Sequence, residues 1–190
     1  KEIVRIPGAK DVMIAFFCYC AAESTVMLWA SSYLALGRGV GTEAAAGYAS
    51  LFFIGITVGR ALSGFLTMRF ADAQMIRMGQ ALVALGAVML LLPLGTGAAL
   101  AGLVVIGLGC APIYPCIIHS TPEHFGAENS QALIGVQMAS AYVGTLAMPP
   151  LFGLIANHIS IGLFPIFLLV VLAAMALMHE RLVRKTRTKA

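Results

Sequence analysis

Charge is what this sequence of 190 residues has least of: Asp, Glu, Lys and Arg together make up 11% of it. A water-soluble domain covers its outside with roughly a quarter charged residues, so an aqueous globule is excluded. Residues 78–122 and 129–179 contain no charged side chain at all, runs of 45 and 51 residues. Neither G-x-S-G nor H-E-x-x-H occurs, which disfavours an intramembrane enzyme, and no N-P-A pair points to a water channel. The basic residues carry no interleaved aromatics, so no nucleic-acid partner is expected. Cys18, Cys20, Cys110 and Cys116 show neither zinc-ligand spacing nor a disulfide framework and read as small apolar residues. His119 and His124 flank HSTPEHF with Glu123 and Glu128 nearby, but no third ligand is spaced for a metal. This stretch reads instead as an aqueous loop whose acids pair with Arg69 or Arg77. No metal and no cofactor is expected. The opening KEIVRIPGAK has neither an initiator Met nor a signal-peptide pattern, and reads as the middle of a longer polypeptide or a trimmed chain.

What is there is apolar: 60% hydrophobic residues and a mean hydropathy of +0.93. A membrane-crossing helix uses about 20 residues, so each charge-free run holds two spans joined by a tight turn. The breaks fall at Pro93-Leu94-Gly95-Thr96-Gly97 and near Asn157-His158. Six spans are predicted, over 11–36, 44–69, 74–95, 98–120, 129–156 and 160–180, making an all-α polytopic membrane protein. Its 20 glycines suit close helix packing. Lys1, Arg5 and Lys10 precede the first span, Arg69 and Arg77 bracket the second connection, and Arg181, Arg184, Lys185, Arg187 and Lys189 follow the last. These ten of the 12 basic residues share one face, which by the positive-inside rule puts both termini in the cytoplasm and the chain in the cytoplasmic membrane. The tail from Arg181 reads as a solvated basic end within reach of anionic lipid. The third and sixth spans are plain and apolar, whereas the others carry polar, Gly or Pro residues in mid-span. That pattern suggests a three-plus-three, inverted-repeat bundle with the two plain helices at its periphery.

One acid interrupts the first span, in YCAAESTVMLWASSYL. Glu23 lies about twelve residues in, roughly 18 Å along a helix and near the bilayer midplane. A charge there costs about 2.5–3.5 kcal/mol on insertion scales, so Glu23 must face the bundle interior or a wet cavity, or carry its proton. It shares a semi-polar stripe with Tyr19, Cys20, Ser24, Met27 and Ser31. Two roles fit: a substrate or proton site, or a structural acid neutralised by a neighbour. Arg60, in GITVGRALSG, stands at a similar height on the second span and is the candidate ion-pair partner; snorkelling toward the cytoplasmic face is its alternative. Gly55, Gly59 and Ser63 form a small-xxx-small seam for helix packing. In GLGCAPIYPCIIHS, Pro112 and Pro115 interrupt the backbone ladder of the fourth span, and Tyr114 between them is placed to point into the resulting cavity. Gln137, on one face with Ala141, Gly144 and Met148, needs a hydrogen-bond partner in mid-membrane, either another helix or a polar substrate.

FCYCAAESTVMLWASSYL, VGRALSGFLTMRFADAQMIRMGQ and APIYPCIIHSTPEHFGAENSQALIGVQMASAYVGTLAMPPLFGLIA resemble the seventh helix, the eighth helix with its following loop, and the tenth and eleventh helices of major facilitator superfamily transporters. Within that superfamily they are most similar to the fucose:proton symporter-like family. The loop signature G-x-L-x-D-R-x-G survives only as Gly64, Leu66 and Arg69, with Met68 and Ala71 where its Asp and last Gly would stand. The resemblance covers nearly all of residues 1–190 and implies the C-terminal six-helix bundle, half of a secondary transporter. By that resemblance the first and fourth spans line a cavity, with Tyr19, Glu23, Tyr114 and Gln137 toward it, and a small polar solute, a sugar, moves by alternating access coupled to protons. The partner so implied is an N-terminal six-helix half. The alternative is a stand-alone six-helix membrane protein, acting as a homodimeric carrier or a scaffold.

Overall fold

In the computed structural model, which describes residues 2–187, the chain is helical almost throughout. Lys1 and Lys189 of the basic count lie outside the described residues. Helix α1 (Ala9–Ser32) continues through a π-helical turn, Tyr33–Gly37, as the first span. Helices α2 (Thr42–Ala49) and α3 (Leu51–Leu66) make the second, α4 (Asp72–Leu91) the third and α5 (Thr96–His119) the fourth. A short α6 (Thr121–Phe125) precedes α7 (Ala127–His158), the fifth span, and α8 (Phe164–Arg187) forms the sixth. Six of these segments are long and apolar enough to cross a membrane.

The packing shows why six spans make one body. The first span packs on the fifth and sixth, and the fourth on the second and third. Each group of three thus lends its leading helix to the other group, and the third and sixth spans meet behind them. The first and fourth are accordingly the most buried. The second and fifth are the least buried and leave Ile54, Val58, Leu62 and Tyr142, Val143, Leu146 exposed.

Close approach is set by glycine. A Cβ on Gly107 would stand on the Phe52 carbonyl oxygen and 2.9 Å from the Gly55 Cα; one on Gly59 would stand 2.6 Å from the Ala111 Cβ. On the other flank of α5, Gly109 and Gly102 meet Gly79 and Gly86 of α4, each with a backbone oxygen where a Cβ would go. Substituting any of these drives two backbones apart.

The ends are fastened differently. At one end Asp11, buried at the start of α1, accepts from Lys185 of α8 at 2.6 Å, with Arg181 at 3.9 Å. Arg77 of α4 grips Glu180 with two nitrogens, at 2.6 and 3.1 Å. At the other end, Pro93 breaks the helix and the Leu94 N–H turns to Leu92 O, so Leu90 O lacks the backbone donor four residues on. Tyr33 donates to Leu90 O at 2.8 Å, and Arg38 donates to both Leu90 O and Leu92 O.

Two expectations are corrected here. The segment after residue 180 is not a solvated tail: α8 runs on to Arg187, because Leu182 and Val183 are buried, Leu182 against Gly8. The His119–Phe125 stretch is not a plain loop whose acids pair with Arg69 or Arg77. It contains α6, His119 pairs with Asp72 at 2.6 Å, and Arg77 is taken by Glu180 because the third and sixth spans pack together.

Candidate functional site

The leading helices of the two groups, α1 and α5, carry the polar cluster. Tyr19 of α1 is buried and donates its hydroxyl proton to the Cys110 carbonyl of α5 at 3.1 Å. Its ring stacks on Phe16 (centroids 6.3 Å apart), and Tyr114 of α5 closes the group at 5.1 Å from Phe16 and 6.4 Å from Tyr19. The Tyr114 hydroxyl is directed at the Met138 sulfur of α7, 3.4 Å away. Aromatic faces at such spacings give a semi-rigid wall with polar tips.

Glu23 stands one turn beyond Tyr19 and is half-buried. Its carboxyl neighbours Tyr19 on the same face of the helix, and the Arg60 charge acts on it through space. Glu23 in turn acts on Cys20, Cys110 and Tyr114. No ion pair within 4.0 Å joins Glu23 to Arg60 among the described residues. Around Glu23, Ser24 and Thr25 donate back to the Cys20 and Ala21 carbonyls of α1, each at 2.6 Å, which satisfies both hydroxyls inside the helix.

Arg60 is exposed and lines a groove of about 530 Å³ with Ser63, Gly64, Thr67, Ala111, Tyr114 and Pro115. A smaller cavity of about 250 Å³ shares Ser63, Thr67 and Pro115 with it and reaches Cys116 and the Asp72–His119 pair. The two cavities together follow the seam between α3 and α5 from mid-span to one end of the bundle. Pro115 favours them, since the Ala111 carbonyl has no N–H partner one turn on.

Tyr19, Glu23, Tyr114 and Arg60 are thus gathered around α1, α3 and α5. Gln137 stands apart: it is fully buried, and its amide nitrogen donates to the Thr121 hydroxyl at 3.2 Å, so its partner is α6 and it does not line the groove. Gly55, Gly59 and Ser63 lie on the face of α3 against α5, with Ser63 bonded back to Gly59 O at 2.6 Å. Sequence reasoning missed Thr67, Asp72 and His119 as lining residues. Their only signal is the one-turn spacing of Ser63 and Thr67, continuing the small-residue seam toward the charged end.

The Trp29 indole N–H donates to the Pro149 carbonyl at 3.0 Å, and Ser140 donates to Met13 O at 3.0 Å, so α7 is fastened to α1 on both sides of Glu23. At the charged end, His124 of α6 meets the Thr186 hydroxyl at 2.9 Å. Burial holds the His124 imidazole below the usual histidine range, against the upward pull of Glu123 and Asp72. A depressed histidine favours the fold above its unfolded pKa, and that contribution is lost as pH falls toward the folded value. Thermal stability should therefore decline between about pH 7 and pH 5.5, with a smaller decline in His124→Asn. Parallel melting curves of the two proteins across that range check this.

The profile of the family described as Major Facilitator Superfamily matches residues 12–190. No curated protein matches. Among solved structures, a peptide transporter POT in complex with alafosfalin superposes with a TM-score of 0.78 at 16% identity, covering 94% of this chain and 39% of that one. The transporter FucP in the outward conformation gives 0.74 at 18%, covering 92% and 43%. A variant of the E. coli fucose:proton symporter FucP gives 0.70 at 19%, covering 93% and 44%. These likenesses show the fold, and the chain spans about two fifths of the length of each.

Proposed function

The chain belongs to the major facilitator superfamily, and on that premise we propose that it works as one six-helix half of a secondary transporter in the cytoplasmic membrane, moving a small polar solute by alternating access. It is a multi-pass membrane transporter bundle and not an enzyme. The finer reading is a sugar as solute and the proton as coupling ion, with both termini cytoplasmic.

One observation carries this: a half-buried acid at membrane depth, Glu23, beside an aromatic wall and a groove whose charged member, Arg60, acts on it through space. An intramembrane carboxyl is a place where a proton can be held and released. Tyr114, which lines the groove, offers a flat face for the C–H surface of a sugar, with the buried Tyr19 behind it, while Glu23 and Arg60 supply an acceptor and a fork of donors for its hydroxyls. The fold neighbours include both a fucose:proton symporter and peptide transporters, so the chemistry of this wall, and not the fold, favours the sugar. Loading of the cavity from its other side falls to a second six-helix body, against the exposed faces of the second and fifth spans. That body is an N-terminal half or, in the alternative arrangement, a second copy.

The test is ligand-dependent thermal stability of the complete transporter, read against monosaccharides and dipeptides on either side of neutral pH. A ligand at a hundred times its Kd stabilises by about 2.7 kcal/mol, a shift of several degrees. A monosaccharide should produce that shift, and should do so unequally at the two pH values. Stabilisation by dipeptides alone would replace the sugar reading.

A further inference from the structure

Arg60 is the arginine at mid-span, and the fold gives it no partner. Arg38 is taken by the Leu90 and Leu92 carbonyls, Arg77 by Glu180, and Arg181 stands 3.9 Å from Asp11. Among the described residues Arg60 makes no ion pair within 4.0 Å and no side-chain hydrogen bond. Glu23 acts on it through space but does not line its groove. A charged side chain within a span faces a cavity and marks the path of a substrate or ion. The groove of about 530 Å³ that Arg60 lines is within the size range of small-molecule sites.

The other polar groups of this groove accept more than they donate. Ser63 gives its hydroxyl proton to Gly59 O at 2.6 Å and Thr67 gives its own to Gly64 O at 3.1 Å, so lone pairs are what each has left to offer. On the α5 wall, Ala111 O lacks an N–H partner because of Pro115. No acid lines the groove, and the one acid of the adjoining cavity, Asp72, is held by His119 at 2.6 Å. One fixed positive charge among acceptors fits a solute with a carboxylate and several hydroxyls. The guanidinium fork matches the two carboxylate oxygens, and the lone pairs match O–H donors. A neutral sugar would leave the guanidinium uncompensated, and a dipeptide would bring an ammonium for which the groove has no acid.

We propose that the groove between α3 and α5 takes a sugar acid, a uronate, and that Arg60 selects it over the neutral sugar. The Arg60 fork holds the carboxylate, Ser63, Thr67 and Ala111 O receive hydroxyls, and Tyr114 covers the C–H face. This rests on the sugar reading above and narrows it to the acidic members of that class.

The experiment compares glucose with glucuronate and galactose with galacturonate, pairs that differ only at C6, as stabilisers of the complete transporter. Melting curves are recorded over a concentration series of each at constant ionic strength. In the wild type the uronate of one pair should bind at least about tenfold more tightly than its hexose, the factor that a hydrogen bond to a charged group supplies. Arg60→Gln should bring that ratio to about one, and Arg60→Lys, which keeps the charge and loses the fork, should fall between. Hexoses that stabilise the wild type as well as their uronates do, or a uronate preference that survives in Arg60→Gln, would overturn the carboxylate site. Either result leaves the sugar reading standing. Stabilisation by dipeptides and by none of the four saccharides would remove both. The wild-type comparison of hexose with uronate decides the question even where Arg60→Gln fails to fold.

Discussion

Glu23→Gln in the complete transporter will reduce proton-driven accumulation of solute by about a hundredfold and flatten its pH dependence. The substitution keeps the volume and the half-buried position one turn beyond Tyr19. It removes only the ability to gain and lose a proton. A hydrogen bond to a charged group is worth roughly 1.5–3 kcal/mol, and about 2.7 kcal/mol corresponds to a factor of a hundred. Solute moving down its own gradient should suffer much less, because that process needs no proton to cross. Accumulation in proteoliposomes under an imposed pH gradient, compared with counterflow without one, separates the two. A variant that accumulates solute like the wild type would remove Glu23 from the coupling path.

Gly107→Val will cost more in stability than any polar substitution proposed above. The added branches would enter the backbone of α3, where the Phe52 carbonyl oxygen and the Gly55 Cα at 2.9 Å already occupy the place of a Cβ. Backbone cannot rotate aside as a side chain does, so the second span must move off the fourth, and the groove at Arg60, Ala111 and Tyr114 opens with it. Overpacking of this kind costs about 3 kcal/mol, roughly 6–12 °C in Tm for a domain of this size. Gly64→Ala is the internal comparison: no heavy atom lies within 4 Å of its Cβ position. Its Tm should hold or rise slightly, since alanine is the better helix former. Equal melting temperatures for Gly107→Val and the parent would contradict the close α3–α5 contact.

Much of the fold is legible in the sequence because the bilayer simplifies the problem: a segment must be apolar, helical and about 20 residues long. Residues 78–122 and 129–179 announce four spans by lacking charge, and Pro93 marks the end of one. What is hidden depends on contacts between distant segments. Leu182 looks like part of a basic tail until Gly8 and Phe125 are seen beside it. Gly79, Gly86, Gly102 and Gly109 are scattered small residues in the sequence, and only the crossing of α4 with α5 pairs them. Arg38 gives no hint that it serves Leu90 O and Leu92 O at the helix end broken by Pro93, 55 positions later. At the site, Glu23 is legible because a lone acid in hydrocarbon needs a reason, and Tyr19 because it sits one turn away. Gln137 carries the same polar signal, yet its partner is Thr121, 16 residues back in the chain. A buried amide states that a partner exists and not which one.

The central claim is that Glu23 faces a wet, solute-accessible cavity and not the acyl chains. Carbodiimides that modify carboxyl groups test it in the complete transporter, with modification of Glu23 read by peptide mass spectrometry. The account predicts that a membrane-impermeant, water-soluble reagent modifies Glu23 and that the transported solute protects it. Modification by a lipid-soluble reagent alone, unchanged by any solute, would contradict it.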